Sequence, residues 1–93
     1  MFQIVLSPER TTLTRAQFIA AMRSSGIGIG VHYPAMHLFS FYRDLGFGDG
    51  QFPHAERIGR NICTLPLFPT MTDADVDRVC AAIKSILGAA RID

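Results

Sequence analysis

The sequence is poor in features that mark several classes of protein. Its 93 residues carry a formal charge of +1 and no run of basic side chains, so we expect neither nucleic acid nor a membrane as a partner. Two cysteines, Cys63 and Cys80, make no disulfide framework or zinc motif, and we expect reduced, at least partly buried thiols. The apolar start, Phe2 to Leu6, is too short for a signal peptide or a membrane span. A cytoplasmic domain is therefore expected.

Lysine is almost absent, since Lys84 is the only one. Chemistry that proceeds through a Schiff base needs a lysine amine, so the position of this residue decides whether the chain could perform it. In the helix predicted for the C-terminal stretch, Lys84 lies about 100° from the centre of the apolar stripe. We therefore predict a solvated side chain and no catalytic residue in this chain.

Capping residues predict the starts of the two main helices. Thr14 with Gln17 begins a helix that ends near Ser25, with Gly26 after it. Thr72 begins the last helix. Its apolar stripe comprises Val76, Val79, Cys80, Ile83, Ile86 and Leu87. Shorter helices are predicted from about Leu38 to Leu45 and from Pro53 to about Arg60.

Three strands are predicted, over residues 1–7, 27–31 and 62–67. The order of elements favours one α+β domain over residues 1–93, with a small three-stranded, mostly antiparallel sheet and helices mainly on one face. The first two strands should be parallel, and the third antiparallel between or beside them. Gly28 and Gly30 leave one face of the second strand bare, so another group should pack closely there. A chain that opens within a strand is expected to be a piece of a larger protein.

Three histidines are candidates for ligand binding. His32, His37 and His54 have spacings that match no metal motif, and His54 should lie at the surface of a first helical turn. His32 and Tyr33 follow the glycine-lined strand, so at least one ring should project toward the face that the glycines leave open. An aromatic cluster follows, which forms either local core or a surface for another domain or subunit. It comprises Phe39, Phe41, Tyr42, Phe47 and Phe52.

Two stretches carry a family resemblance, Gly26-Ile27-Gly28-Ile29-Gly30-Val31-His32-Tyr33-Pro34 and Cys63-Thr64-Leu65-Pro66-Leu67-Phe68-Pro69-Thr70-Met71-Thr72. They resemble the C-terminal domain of the DegT/DnrJ/EryC1/StrS aminotransferases, which use pyridoxal phosphate (PLP) to aminate a nucleotide-linked keto-sugar. The likeness extends from Phe2 to about Leu87. The part of the second stretch from Cys63 to Pro69 looks especially similar to the family member that makes UDP-4-amino-4-deoxy-L-arabinose for the lipid A of lipopolysaccharide.

This resemblance implies the small domain of a fold-type I aminotransferase. PLP, its Schiff-base lysine and its other ligands would lie in a missing N-terminal domain, so this chain would hold no cofactor and be inactive alone. Its other partners would be the second subunit of a homodimer and the nucleotide-sugar. By the same match, His32, Tyr33 and His37 would contact that substrate.

Another class of protein stays open, a free-standing small α+β module that binds a ligand or regulates an enzyme. An upstream coding sequence with a lysine-bearing PLP domain would decide for the aminotransferase. A metal-binding or redox module is less favoured, because the sequence lacks suitably spaced ligands.

Overall fold

The computed structural model describes residues 1–92 as an α+β domain. In chain order, its elements are β1 (Phe2–Val5), α1 (Arg15–Ser24), a 3-10 turn (Met36–Leu38), α2 (Ser40–Asp44), α3 (Pro53–Asn61), β2 (Ile62–Leu65) and α4 (Asp73–Ala89). None of the helices in this part of the chain is both long and apolar enough to cross a membrane.

Both predicted helix caps are present, and in the structure each is a capping box. The Thr14 hydroxyl accepts a hydrogen bond from the Gln17 amide at 3.2 Å, and the Gln17 side chain accepts one from the Thr14 amide at 2.9 Å. Thr72 and Asp75 do the same at the start of α4, and donation by the Thr72 amide lowers the pKa of the Asp75 carboxyl. Gly26, at φ +79°, follows α1 in the left-handed conformation that ends many helices.

The sheet has two strands, which corrects the predicted three. Antiparallel β1 and β2 pair from Phe2 opposite Leu65 to Val5 opposite Ile62. Of the predicted strand 27–31, only Gly30 pairs, through two backbone bonds with Thr64 of 3.0 and 2.8 Å. These bonds lie on the edge of β2 opposite to β1, so β1 and the chain at Gly30 run in the same direction, as predicted.

Two attachments, one local and one to a distant residue, account for the missing strand. The Ile27 amide donates back to the carbonyl of Met22 in α1 at 2.9 Å, so the start of the segment belongs to the helix end. At its other end, the His32 carbonyl accepts a hydrogen bond from the Gln3 side chain. Of the four residues between these two attachments, only Gly30 pairs with β2.

Helices α1 and α4 pack on one face of the sheet. The buried core there comprises Leu6, Phe18, Met22, Ile27, Cys63 and Val79. Since side chains alternate along a strand, Thr64 and its partner Gln3 lie on the opposite face from Cys63 and Ile4. The sheet therefore has one apolar face covered by helices, and an opposite face on which Gln3 and Thr64 lie beside Val5 and Ile62.

The buried apolar stripe of α4 contains fewer residues than predicted. Val79 is buried, and Ala82, Ile83, Ile86 and Leu87 pack partly against the core. Val76 is 44% exposed and Cys80 is exposed, so the expectation that both thiols are at least partly buried holds for Cys63 but is wrong for Cys80. Cys80 lies about 100° around the helix from the buried Val79. Burial raises the pKa of the Cys63 thiol.

Candidate functional site

His32 lies on the face of the sheet that carries Gln3 and Thr64. Its Nδ1 atom is 2.8 Å from the Thr64 hydroxyl oxygen in β2. A Cβ atom on Gly30 would lie 2.9 Å from the ring atom Cε1 of His32, so the ring occupies space that only glycine leaves free. The predicted close packing on the glycine face is thus present at Gly30, whereas nothing lies within 4 Å of a Cβ on Gly28.

Gln3 ties β1 to this histidine. Its side-chain nitrogen donates to the His32 carbonyl at 2.6 Å and lies 3.4 Å from the Thr64 hydroxyl oxygen. Both the backbone and the ring of His32 are therefore held by residues of the sheet. This network, which joins residues 61 positions apart, has no local sequence signal.

Tyr33 continues the site into solvent. It is 63% exposed, and its ring meets the His32 ring edge-on at 4.9 Å between centroids. The peptide bond that joins the two residues is cis. Within residues 1–92, neither the Tyr33 hydroxyl nor Nε2 of His32 has a hydrogen-bond partner, and Nε2 is not buried. Two polar tips of this pair are therefore free to bind a ligand.

The third predicted residue, His37, belongs to another cluster. It is buried, its Nε2 atom lies 3.1 Å from the Glu56 carboxylate, and its ring packs edge-on against Phe52 at 4.8 Å. Nδ1 of His37 has no partner within the described residues and is not buried, so a ligand could meet this ring only there. The structure thus brings His32 and Tyr33 together and places His37 apart from their contacts.

Glu56 is the centre of that second cluster. Its side chain, in a residue that is only 3% exposed, accepts hydrogen bonds from the amides of Gly50, at 2.8 and 3.0 Å, and of Phe52, at 3.0 Å. Arg60 lies 3.5 Å away. The Gly50 amide is the main reason that the pKa of Glu56 is lowered, against the opposing effect of burial.

Glu56 was missed from the sequence because a carboxylate in a first helical turn is usually solvated. One signal was available. The residue before α3 is Phe52, which has no side chain able to cap the helix, and Glu56 reaches back to the free amide instead.

We call residues 34–52 the aromatic segment. Ring contacts link Phe41 to Tyr42 at 5.1 Å, Tyr42 to Phe47 at 6.3 Å and Phe47 to Phe52 at 6.3 Å. These rings cover little core, since Phe41 is 67% and Phe47 is 40% exposed. Of the two interpretations of the aromatic cluster, the geometry agrees with an exposed surface.

Helix α3 joins the two clusters. A Cβ on Gly59 would lie 2.6 Å from the Ala35 backbone nitrogen, so the helix touches the main chain directly after Tyr33 and Pro34. Arg15 of α1 donates to the carbonyl of Gly59 at 2.5 Å. The path of the chain after His32 and Tyr33 therefore depends on α3 and, through Arg15, on the core.

Comparison with known proteins identifies this arrangement. Residues 1–84 match the DegT/DnrJ/EryC1/StrS aminotransferase family. The chain belongs to this family.

Solved structures of aminotransferases have the same fold. Spr1654 of Streptococcus pneumoniae, named as a sugar aminotransferase, superposes in its PMP form with a TM-score of 0.82 at 26% identity, over 95% of this chain. Its apo form gives 0.80 at 25% identity over 95% of this chain. The aminotransferase from Psychrobacter cryohalolentis, at 14% identity over 96% of this chain, shares the fold with a TM-score of 0.80. This chain spans 22% of the length of Spr1654 and 24% of the Psychrobacter protein.

Aminotransferases of this family use PLP, and the residues of this chain do not fit that cofactor. Lys84 is exposed on α4. It borders an open groove of about 1000 Å³ between β1 and the C-terminal part of α4, whose lining includes none of His32, Tyr33 and His37. An exposed amine beside an open groove lacks the enclosure that a Schiff base requires. The described residues also hold no group of three or more His, Cys, Asp or Glu side chains that could bind a metal ion.

Proposed function

We propose that this chain is the C-terminal, substrate-side domain of a PLP-dependent aminotransferase that acts on a nucleotide-linked keto-sugar. The product would be an amino sugar for cell-surface polysaccharide or lipopolysaccharide, of the kind represented by UDP-4-amino-4-deoxy-L-arabinose. PLP would supply the amino-transfer chemistry from the N-terminal domain, and the chain alone would transfer no amino group.

One observation carries the proposal. A domain that belongs to an aminotransferase family, and spans about a fifth of its relatives, presents two free hydrogen-bonding tips in place of a lysine site. A nucleotide-sugar is rich in hydroxyl and phosphate oxygens that such tips can bind. The chemistry of the pair thus suits substrate binding, which is the role that a domain without a cofactor site can serve.

The roles of the residues follow from their placement. Nε2 of His32 and the Tyr33 hydroxyl would contact the substrate directly, because both are open. His37 would reach the substrate only through Nδ1, while its Nε2 atom keeps Glu56 and the loop at Gly50 in place. We therefore expect that loss of the contact between Nδ1 of His37 and the substrate lowers catalysis less than removal of the His32 side chain.

The proposed partners are the N-terminal PLP-binding domain and a second subunit of a homodimer, and the location is the cytoplasm. The exposed rings of the aromatic segment support a contact with one of these partners. Contiguous apolar rings at a surface are typical of sites that another domain or subunit covers.

The test is kinetic and uses the full-length aminotransferase that contains this domain. His32→Ala and Tyr33→Phe should each lower kcat/KM for the sugar half-reaction by about 5- to 150-fold, which corresponds to the loss of about 1–3 kcal/mol from a hydrogen bond. PLP occupancy, measured by absorbance, should stay unchanged. His54→Ala is the matched control, because His54 is exposed in the first turn of α3 and has no partner in residues 1–92.

Normal kinetics in both His32→Ala and Tyr33→Phe, with normal folding, would contradict the proposal. Loss of PLP together with activity would also count against it, because the domain would then support the cofactor and not the substrate.

A further inference from the structure

The hydrogen bonds around His32 define more than its position. We propose that Gln3 and Thr64 are positioning residues that hold the His32 ring in the tautomer with its proton on Nε2. The site then offers a hydrogen-bond donor, and the group that it binds is an oxygen acceptor. This inference rests on the proposed function for the identity of the ligand, but not for the tautomer itself.

The first step is the orientation of the Gln3 amide. Its two ends differ, since the nitrogen only donates and the oxygen only accepts. The end that faces His32 lies 2.6 Å from the backbone carbonyl oxygen of His32, and a carbonyl oxygen only accepts hydrogen bonds. The nitrogen of Gln3 must therefore face both this carbonyl and the Thr64 hydroxyl.

The second step concerns the proton of the Thr64 hydroxyl. Thr64 is buried, with 9% of its surface exposed, and its oxygen accepts from Gln3. Among the described residues, the only other partner of this hydroxyl is Nδ1 of His32, at 2.8 Å. A buried hydroxyl proton left without an acceptor costs about 1–3 kcal/mol. Donation from Thr64 to Nδ1 avoids this cost.

The third step follows from the chemistry of neutral imidazole, which carries one proton on one of its two nitrogens. If Nδ1 accepts from Thr64, the proton resides on Nε2. Nε2 is the nitrogen that has no partner within residues 1–92 and is not buried. The sheet therefore aims an N–H group outward, toward the position of a ligand.

Gly30 completes the arrangement. Any side chain at this position would meet the edge of the ring at Cε1, 2.9 Å from its Cβ, and at Nδ1, 3.4 Å away. The ring would have to turn and lose its contact with Thr64. Gly30→Ala therefore disturbs the geometry without removing a hydrogen-bonding group.

Nuclear magnetic resonance of the ¹⁵N-labelled 93-residue chain tests the tautomer with no ligand present. Long-range ¹H–¹⁵N spectra, recorded at alkaline pH where ordinary imidazoles are neutral, distinguish protonated from unprotonated ring nitrogens. His32→Ala assigns the signals. His54, exposed and without a partner, provides the tautomer ratio of a free histidine in the same sample.

We expect a larger share of the Nε2–H form at His32 than at His54. Thr64→Val, which removes the hydroxyl but keeps the shape, should bring His32 to the His54 ratio, while Thr64→Ser should keep the wild-type ratio. If Thr64→Val does not fold, Gly30→Ala provides the same comparison. A wild-type His32 with its proton on Nδ1, or with the His54 ratio, would overturn the proposal.

Two probes then distinguish the source of the oxygen acceptor. A shift of the His32 Nε2 signal with inorganic pyrophosphate points to the diphosphate of a nucleotide-sugar, whereas a shift only with dihydroxyacetone points to the keto oxygen. No shift with either probe would overturn the assignment of an oxygen acceptor. Because the tautomer is measured without ligand, a failure of the kinetic test above would count against the proposed function alone.

Discussion

The core and the aromatic segment are held together by different forces. Phe18, Met22 and Cys63 have no exposed surface, and they lie between the sheet and helices α1 and α4. The aromatic segment buries only Ala35 and His37, and its main attachment to the remainder of the chain is the carboxylate of Glu56. Apolar burial stabilises the first region, whereas a few polar contacts position the second.

The two regions therefore differ in how much their own contacts stabilise them. The core has what a small domain needs to fold, and His32 is tied to it through Thr64 and Gln3. The aromatic segment exposes the rings that a partner would cover. We infer that His32 stays in place in the isolated chain, and that the aromatic segment is the less stable of the two regions.

The largest expected effect is the loss of a core ring. Phe18→Ala should lower the free energy of unfolding by about 3–5 kcal/mol, a large part of the roughly 5–14 kcal/mol expected for a chain of this length. Phe41→Ala makes the same chemical change at a ring that is 67% exposed, and should cost less than about 1 kcal/mol. Denaturant titration measures both, and equal losses would break the comparison between the two regions.

A smaller, local effect is expected at Glu56. Glu56→Gln keeps the size of the side chain but removes the charge that accepts from the Gly50 and Phe52 amides. Those two amides should then exchange with deuterium faster, while exchange in α4 stays unchanged. Asp49→Asn is the matched control, because this exposed carboxylate contacts Arg43 only at 3.5 Å. Faster exchange throughout the core of Glu56→Gln would contradict a local role.

A fall in pH should weaken the same contacts as Glu56→Gln, because protonation also removes the charge of the Glu56 carboxylate. Because the pKa of Glu56 is lowered in the folded chain, its contribution to stability is present above the ordinary value of 4.5 and is lost as the pH falls below that value through the lowered pKa. Tyrosine fluorescence of a variant that keeps Tyr42 but carries Tyr33→Phe should therefore change in this range before the far-ultraviolet circular dichroism of the helices. A simultaneous change would show that the segment and the core unfold together.

The smallest expected effect is the change in absorbance of the isolated chain after treatment with PLP. After incubation with PLP and dialysis, the isolated chain should retain no aldimine absorbance, because Lys84 is exposed and borders an open groove. The Lys84→Arg variant serves as the baseline. A stable stoichiometric adduct on Lys84 would show that the chain contains a cofactor site of its own.

Local signals predicted the helices and much of the sheet. Thr14 and Thr72 both cap helices through boxes that involve residues three positions away, and such boxes can be recognised in the sequence. The strand at 27–31 could not be judged in this way. Its pairing depends on the distant residues Gln3 and Thr64, which hold the chain so that Gly30 alone meets β2.

The sequence predicted only part of the candidate site, because local patterns indicate some of its residues but not contacts between residues far apart in the chain. The glycines before His32 indicated a bare face, and the structure places the ring of His32 over Gly30. Glu56 and Thr64 were not predicted, because a first-turn carboxylate and a strand threonine are common, and their roles come from partners far away in the sequence. Their partners became visible only once the fold was known.

Amide hydrogen exchange of the isolated chain directly compares the core, which apolar burial stabilises, with the aromatic segment, which a few polar contacts position. Residues 76–87 of α4 should be strongly protected, and residues 34–51 weakly protected. Equal protection across both ranges would contradict the account, because the aromatic segment would then belong to the domain's own stable core.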